Sequence, residues 1–148
     1  TVMDGRATHA TKQRFPKAHK IIIAKSAENL RQIEIDERTA FVLMTHNYNY
    51  DLAMLKSLLQ TNCKYIGTLG PKKRLERMLT ELQDDGVVIT DEQRGMIYGP
   101  TGLDIGAEAA EEIALSVLAE VKSVVAGRQG GLLRNRADFI HSRSTPVS

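Results

Sequence analysis

The sequence predicts an α/β fold, a doubly wound, mostly parallel sheet with helices on both faces, and three observations predict it. Phe41-Val-Leu-Met44 and Cys63–Leu69 are short runs of strand length, the first unbroken and apolar, as in a strand buried on both faces of a parallel sheet. Leu52, Leu55, Leu58 and Leu59, then Leu75, Met78, Leu79 and Leu82, repeat with helical spacing. Strand and helix patterns alternate over most of the 148 residues, which is the signature of parallel units joined by crossover helices.

Taken in order, Thr1-Val-Met-Asp4 reads as the tail of a strand, and Gly5–Ala18 as a basic loop holding a short helix. Ile21–Ile23 is a β-branched strand. Ser26 is placed to cap a helix over Ala27–Gln32, with Glu28 in its first turn. The Phe41 strand, the leucine helix, the Cys63–Leu69 strand and the Leu75 helix follow, and Gly86 ends that helix. Thr90-Asp-Glu-Gln93 has capping-box spacing and predicts a short helix before a brief strand at Ile97-Tyr98. Gly99–Gly106 is a loop rich in glycine. Ala107–Val125 reads as a long helix whose core face is Ile113, Val117, Leu118, Val121 and Val125. Gly127–Gly131 breaks it. We therefore divide the chain into a partial domain, residues 1–128, and an extended C-terminal tail, residues 129–148.

Composition excludes several function classes. A net charge of +2 is too small to argue for nucleic acid. No run of about 18 apolar residues suits a membrane span, and the first residues show no basic-then-apolar leader pattern. The single cysteine, Cys63, fits a reducing cytoplasm. With four scattered histidines beside it, the sequence shows no metal-ligand spacing.

The candidate site residues fall where strands end, which is where open α/β sheets bind ligands. Asp4 ends the first strand, as does the acidic residue that holds a ribose hydroxyl in a dinucleotide-binding sheet; an ordinary turn residue is the alternative. Thr45-His46-Asn47 follows the Phe41 strand. Asn47 or Asn49 is a natural helix cap, and His46 is a general base, an anion donor or a loop histidine. Gly67-Thr-Leu-Gly70-Pro71-Lys72-Lys73-Arg74 joins close-approach glycines to a helix start with three cations. Such cations oppose the helix dipole, which favours an anion or phosphate cradle over a merely solvated first turn. The spacing is not that of a Walker motif. Asp104, between Gly102 and Gly106, either caps the following helix or accepts hydrogen bonds from a ligand.

Three segments in this order, THNYNYDLAMLKSLL, KYIGTLGPKKR and GPTGLDIGAEAAEEIALSVLAEV, resemble the C-terminal Rossmann-type domain of the XdhC/CoxI family, the accessory proteins of xanthine dehydrogenase and related molybdenum hydroxylases. VMDGR stands where that family has a strand, an acidic residue and an arginine. The resemblance covers about residues 1–128. It departs from the family in lacking an N-terminal domain, the first strand and the glycine-rich turn, so the sequence reads as part of a longer fold.

The resemblance implies a chaperone that binds molybdenum cofactor, supports its sulfuration and hands it to an apo molybdenum hydroxylase, with a cysteine desulfurase as a further partner. It implies a non-catalytic accessory protein, although the enzyme question stays open. The cofactor-binding candidates are then Asp4, Thr45, His46, Asn47, Gly67, Gly70, Lys72, Lys73, Arg74, Asp104 and Gly106. The alternatives are an NAD(P)-dependent oxidoreductase, with His46 near the nicotinamide, and a nucleotide-sensing module without chemistry. A sheet without its first strand exposes apolar surface and an edge, so a homo-oligomer is expected.

Overall fold

The computed structural model describes residues 1–138 and residue 140. Five strands are found among them: β1 (Val2–Asp4), β2 (Ile21–Ile23), β3 (Ala40–Leu43), β4 (Tyr65–Thr68) and β5 (Ile97–Tyr98). Four α-helices accompany them: α1 (Tyr48–Leu58), α2 (Lys72–Asp84), α3 (Asp91–Gly95) and α4 (Ala110–Val125). Every strand pair is parallel. β1 pairs with β2, while β4 lies between β3 and β5 in a second sheet. The α/β fold class expected from the sequence is the one found.

The core sits where the leucine spacing puts it. Leu55 and Leu58 of α1, Met78 and Leu82 of α2, and Ile66 of β4 are buried in one cluster with Leu43, Leu59 and Cys63. Each such side chain contributes about 1.5–3 kcal/mol on leaving water. β4 is buried at all four positions because β3 and β5 flank it. α1 starts at Asn47, whose side chain accepts the amide of Tyr50 at 3.1 Å. α2 stops at Gly86, which takes φ +83°, while the Val87 amide returns to the Leu82 carbonyl at 2.9 Å. The capping box expected at Thr90 is present and starts α3.

Several expectations need correction. Ala27–Gln32 is a 3-10 helix, in which Ser26 donates its amide to Asn29 Oδ1. No helix forms over Gly5–Ala18, which is a series of turns. α4 begins at Ala110, three residues beyond the expected Ala107, because Glu112 reaches back and accepts the amides of Glu108 and Ala109 at 2.8 and 2.9 Å. Asp104 therefore does not cap it. Val117 of the expected core face is buried, but Leu118 is 66% exposed and Val125 43%. Met44 is exposed, and Phe41 and Val42 are only half-buried, so β3 is not covered on both faces as its apolar run implied. Of the tail, Leu133–Asn135 forms a 3-10 turn, and residues 139 and 141–148 lie outside the described residues.

Candidate functional site

Because all pairs are parallel, the carboxyl ends within each sheet share one edge. Asp4, Thr45 and His46 line a single cavity of about 520 Å³ with Arg6, His9 and Arg14. Asp4 is already engaged. The Arg6 amide and Nε both donate to Oδ1, at 2.8 and 2.9 Å, and Nη2 donates to Oδ2 at 2.9 Å. These bonds hold the Asp4 carboxyl below its ordinary pKa. The sequence reading had Gly5–Ala18 as a basic loop but did not bring its Arg6, His9 and Arg14 to this edge. The Asp-x-Arg spacing of VMDGR was the available signal.

Thr45 sits above a buried ion pair. Its hydroxyl donates to Asp51 Oδ1 at 2.7 Å and accepts the Asn47 amide at 3.2 Å. Asp51 is fully buried, and its other oxygen meets Arg74 Nη2 at 2.9 Å. The loop after β3 is thus tied to the first turn of α2 through one carboxylate. Asn47 is the helix cap, as one of its two readings had it. Arg74, expected among the cradle cations, spends its guanidinium on Asp51 and lies 5.7 Å from the Tyr48 ring centre. Asp51 itself was not singled out, since nothing local distinguishes it from an acidic residue in a helix's first turn.

His46 takes φ +60°, the one non-glycine residue in that region among those described. Its side chain is exposed, so no packing obliges the conformation. Non-glycine residues there cost about 1–2 kcal/mol, and such strain gathers at functional positions. His46→Gly is expected to raise stability by up to about 1 kcal/mol in urea unfolding while weakening ligand binding. Unchanged binding would leave the strained histidine without a role at the site.

The start of α2 is open. No side chain caps Pro71, and the first backbone bond there is Arg74 N–H to Pro71 O at 2.9 Å, so the Lys72 and Lys73 amides precede it. Lys72 lies 4.0 Å from Glu76, and Lys73 makes no ion pair among the described residues. Gly70, at φ +118°, turns the chain into this terminus. Uncapped amides and two lysines thus occupy the same first turn, the combination an anion cradle uses.

The remaining candidates are placed differently. Gly67 is inside β4, where a Cβ would stand 2.6 Å from Thr101 Oγ1. Its smallness serves the approach of the Gly99–Gly106 loop. That loop is fastened by Thr101 N–H to Thr68 O at 3.1 Å, by Gly102 N–H to Glu120 Oε1 at 2.9 Å, and by Ser116 Oγ to Leu103 O at 2.6 Å. Beneath it the Tyr65 hydroxyl donates to Glu120 Oε1 at 2.7 Å and is bonded to Thr101 Oγ1, with the ring stacked 4.5 Å from that of Tyr98. Burial pushes the Tyr65 phenol well above its ordinary pKa. Asp104 and Gly106 are exposed and line a separate cavity of about 320 Å³, apart from the one holding Asp4, Thr45 and His46.

The sequence matches the XdhC Rossmann domain family over residues 1–121. The chain belongs to that family. It is 36% identical over 120 residues to a probable xanthine dehydrogenase subunit of Bacillus subtilis (strain 168), covering 81% of this chain and 34% of the relative. It is 35% identical over 91 residues to the molybdenum cofactor insertion chaperone PaoD of Escherichia coli (strain K12), covering 62% of this chain and 28% of PaoD. A crystal structure of a xanthine dehydrogenase from Bacillus halodurans superposes with a TM-score of 0.70 at 34% identity, over 86% of this chain and 35% of that one. The XdhC domain described here thus spans about a third of the length of these relatives or less. None of its described helices is long and apolar enough to cross a membrane.

Proposed function

We propose that this XdhC Rossmann domain belongs to a cytoplasmic accessory protein that binds molybdenum cofactor and delivers it to an apo hydroxylase of the xanthine dehydrogenase type. The similarity to a molybdenum cofactor insertion chaperone, within an XdhC family match over residues 1–121, carries the reading. The edge chemistry fits the cargo. A pterin phosphate needs amides and cations, which Gly70–Lys73 supplies. Its heterocycle needs polar partners, which Thr45, His46 and Asn47 supply beside it. Among the described residues no group of three or more His, Cys, Asp and Glu is arranged to hold a metal ion; in this reading the cargo is gripped through its organic part. The domain then acts by holding, shielding and releasing. Supply of sulfur by a desulfurase rests on the sequence resemblance alone.

Calorimetric titration of the full-length protein with molybdenum cofactor, and separately with NADH, tests this. Saturable cofactor binding is expected. It should weaken by about 10-fold or more when Lys72 and Lys73 are both replaced by alanine, since charge-assisted hydrogen bonds contribute about 1.5–3 kcal/mol each and 1.4 kcal/mol is tenfold. Binding of NADH alone, with hydride transfer to an acceptor, would reject the chaperone reading for an oxidoreductase.

A further inference from the structure

α4 holds the fold with one face and leaves the opposite face bare. Ser116 and Val117 are buried, and Glu120 accepts the Tyr65 hydroxyl and the Gly102 amide, so this side docks on β4 and on the loop after β5. On the opposite side stand Glu111, Leu115, Leu118 and Lys122, spaced four, three and four residues apart and all exposed. Leu115 is 62% exposed and Leu118 66%. A lone exposed leucine is ordinary, but two at neighbouring positions of one helix face make an apolar patch. Neither Glu111 nor Lys122 makes an ion pair among the described residues. They lie 11 residues apart, roughly 16 Å along the helix, too far to pair with each other. The helix dipole accounts for an acid near the start and a base near the end. It does not account for the two bare leucines between them.

We propose that this face is where a second copy of the chain docks, its α4 antiparallel to the first across a two-fold axis. The stripe is complementary to itself. About the midpoint between Ser116 and Val117, Leu115 mirrors Leu118, Ala114 mirrors Ala119, and Glu111 mirrors Lys122. A two-fold axis at that level sets each Leu115 against Leu118 of the other copy. It also brings each Glu111 carboxylate to the Lys122 ammonium of the other copy, so opposite charges close both ends of the apolar centre. Contacts of residue i with j and of j with i are what a symmetric dimer requires, and a partner of different sequence would set no such condition on α4. The small Ala114 and Ala119 flank the leucines and let two helix axes approach to about 8–10 Å. One helix pair lies at the small end of specific interfaces, so the association is reversible and depends on concentration. The oligomer expected from the sequence then uses a helix face in place of a strand edge. None of the residues proposed to hold the cofactor takes part.

Sedimentation equilibrium of the full-length protein, combined with a charge swap, decides it. The wild-type mass should double with rising concentration, and Leu118→Glu should weaken the association at least about 10-fold by placing a charge in the apolar centre. Glu111→Lys and Lys122→Glu should each weaken it about 5-fold, since symmetry applies each change twice. The two together should restore association to within about 2-fold of wild type, because the swap re-forms both pairs. Helix stability cannot mimic that rescue, as both substitutions oppose the dipole of α4. A double swap that associates no better than the single variants would overturn the proposal. A dimer unchanged by Leu118→Glu would also overturn it and place the contact elsewhere. So would a monomer at every concentration whose melting temperature falls with Leu118→Glu, which would assign the face to another segment of the same polypeptide.

Discussion

Replacing Asp51 with alanine is expected to cost about 3–5 kcal/mol, the largest effect of any single polar substitution in this domain. Asp51 is fully buried, and its two oxygens hold the Thr45 hydroxyl and the Arg74 guanidinium. Removal leaves a cation with a side chain 21% exposed facing a cavity with no counter-charge, and a threonine hydroxyl without its acceptor. Urea unfolding measures the loss. A double-mutant cycle with Arg74→Ala should return a coupling of at least about 1 kcal/mol, since the two groups touch. Replacing both by apolar residues of similar volume should cost less than Asp51→Ala alone, because no charge is then stranded. A loss below about 1 kcal/mol for Asp51→Ala would show that water reaches Arg74 and that the tie between the β3 loop and α2 is weak. The pair matters beyond stability: it sets where the amides of Lys72 and Lys73 stand relative to Thr45 and His46.

Glu120→Ala is the second large effect, at about 2–3 kcal/mol. One carboxylate oxygen of Glu120 accepts both the Tyr65 hydroxyl and the Gly102 amide, so its loss strands the Gly102 amide and leaves the Tyr65 hydroxyl with Thr101 alone. The cluster also contributes to the loss of stability at alkaline pH, alongside the Cys63 thiol, whose pKa burial likewise raises. Burial raises the Tyr65 phenol above its unfolded value, with the Glu120 carboxylate adding to the rise. The unfolded chain therefore releases that proton first, near pH 10. Its contribution is complete below about pH 10 and is lost as pH rises beyond it. Tyr65→Phe should flatten the decline between about pH 9 and 11 in denaturant titrations, at the expense of a hydrogen bond at neutral pH. An alkaline decline unchanged by Tyr65→Phe would place the responsible proton elsewhere.

What the sequence could disclose follows from which information is local. α1 and α2 were legible because leucines at helical spacing record a buried face whatever lies opposite. β3 was legible because an apolar run of strand length has few other uses, β4 because a strand-length run precedes a glycine-proline helix start, and Gly86 marked the end of α2 because only the left-handed turn needs it there. α4 was harder. Its apolar residues surround much of its circumference, so Leu118 and Val125 counted as core though they face outward, and its true start depends on a glutamate reaching back over the preceding turn. The shared edge of Asp4, Thr45 and His46 was legible from strand ends, because parallel topology puts those ends together. Its internal wiring was not. That Arg74 serves Asp51, or that Arg6 closes on Asp4, depends on distances in space, and in the first case on partners 23 positions apart in the chain.

The loop from Gly99 to Gly106 is bound at its root and unbound at its tip. Thr101, Gly102 and Leu103 hold every fastening, whereas Asp104, Ile105 and Gly106 stand clear of the sheet. Fold maintenance and surface chemistry are thereby assigned to adjacent but separate residues. Substitutions at Asp104 and Ile105 can vary what this rim presents to its surroundings without disturbing the architecture beneath, while Gly106, at φ +70°, and the root tolerate little change. The division gives a scaffold whose exposed rim can diversify at Asp104 and Ile105 as its thermostability stays constant.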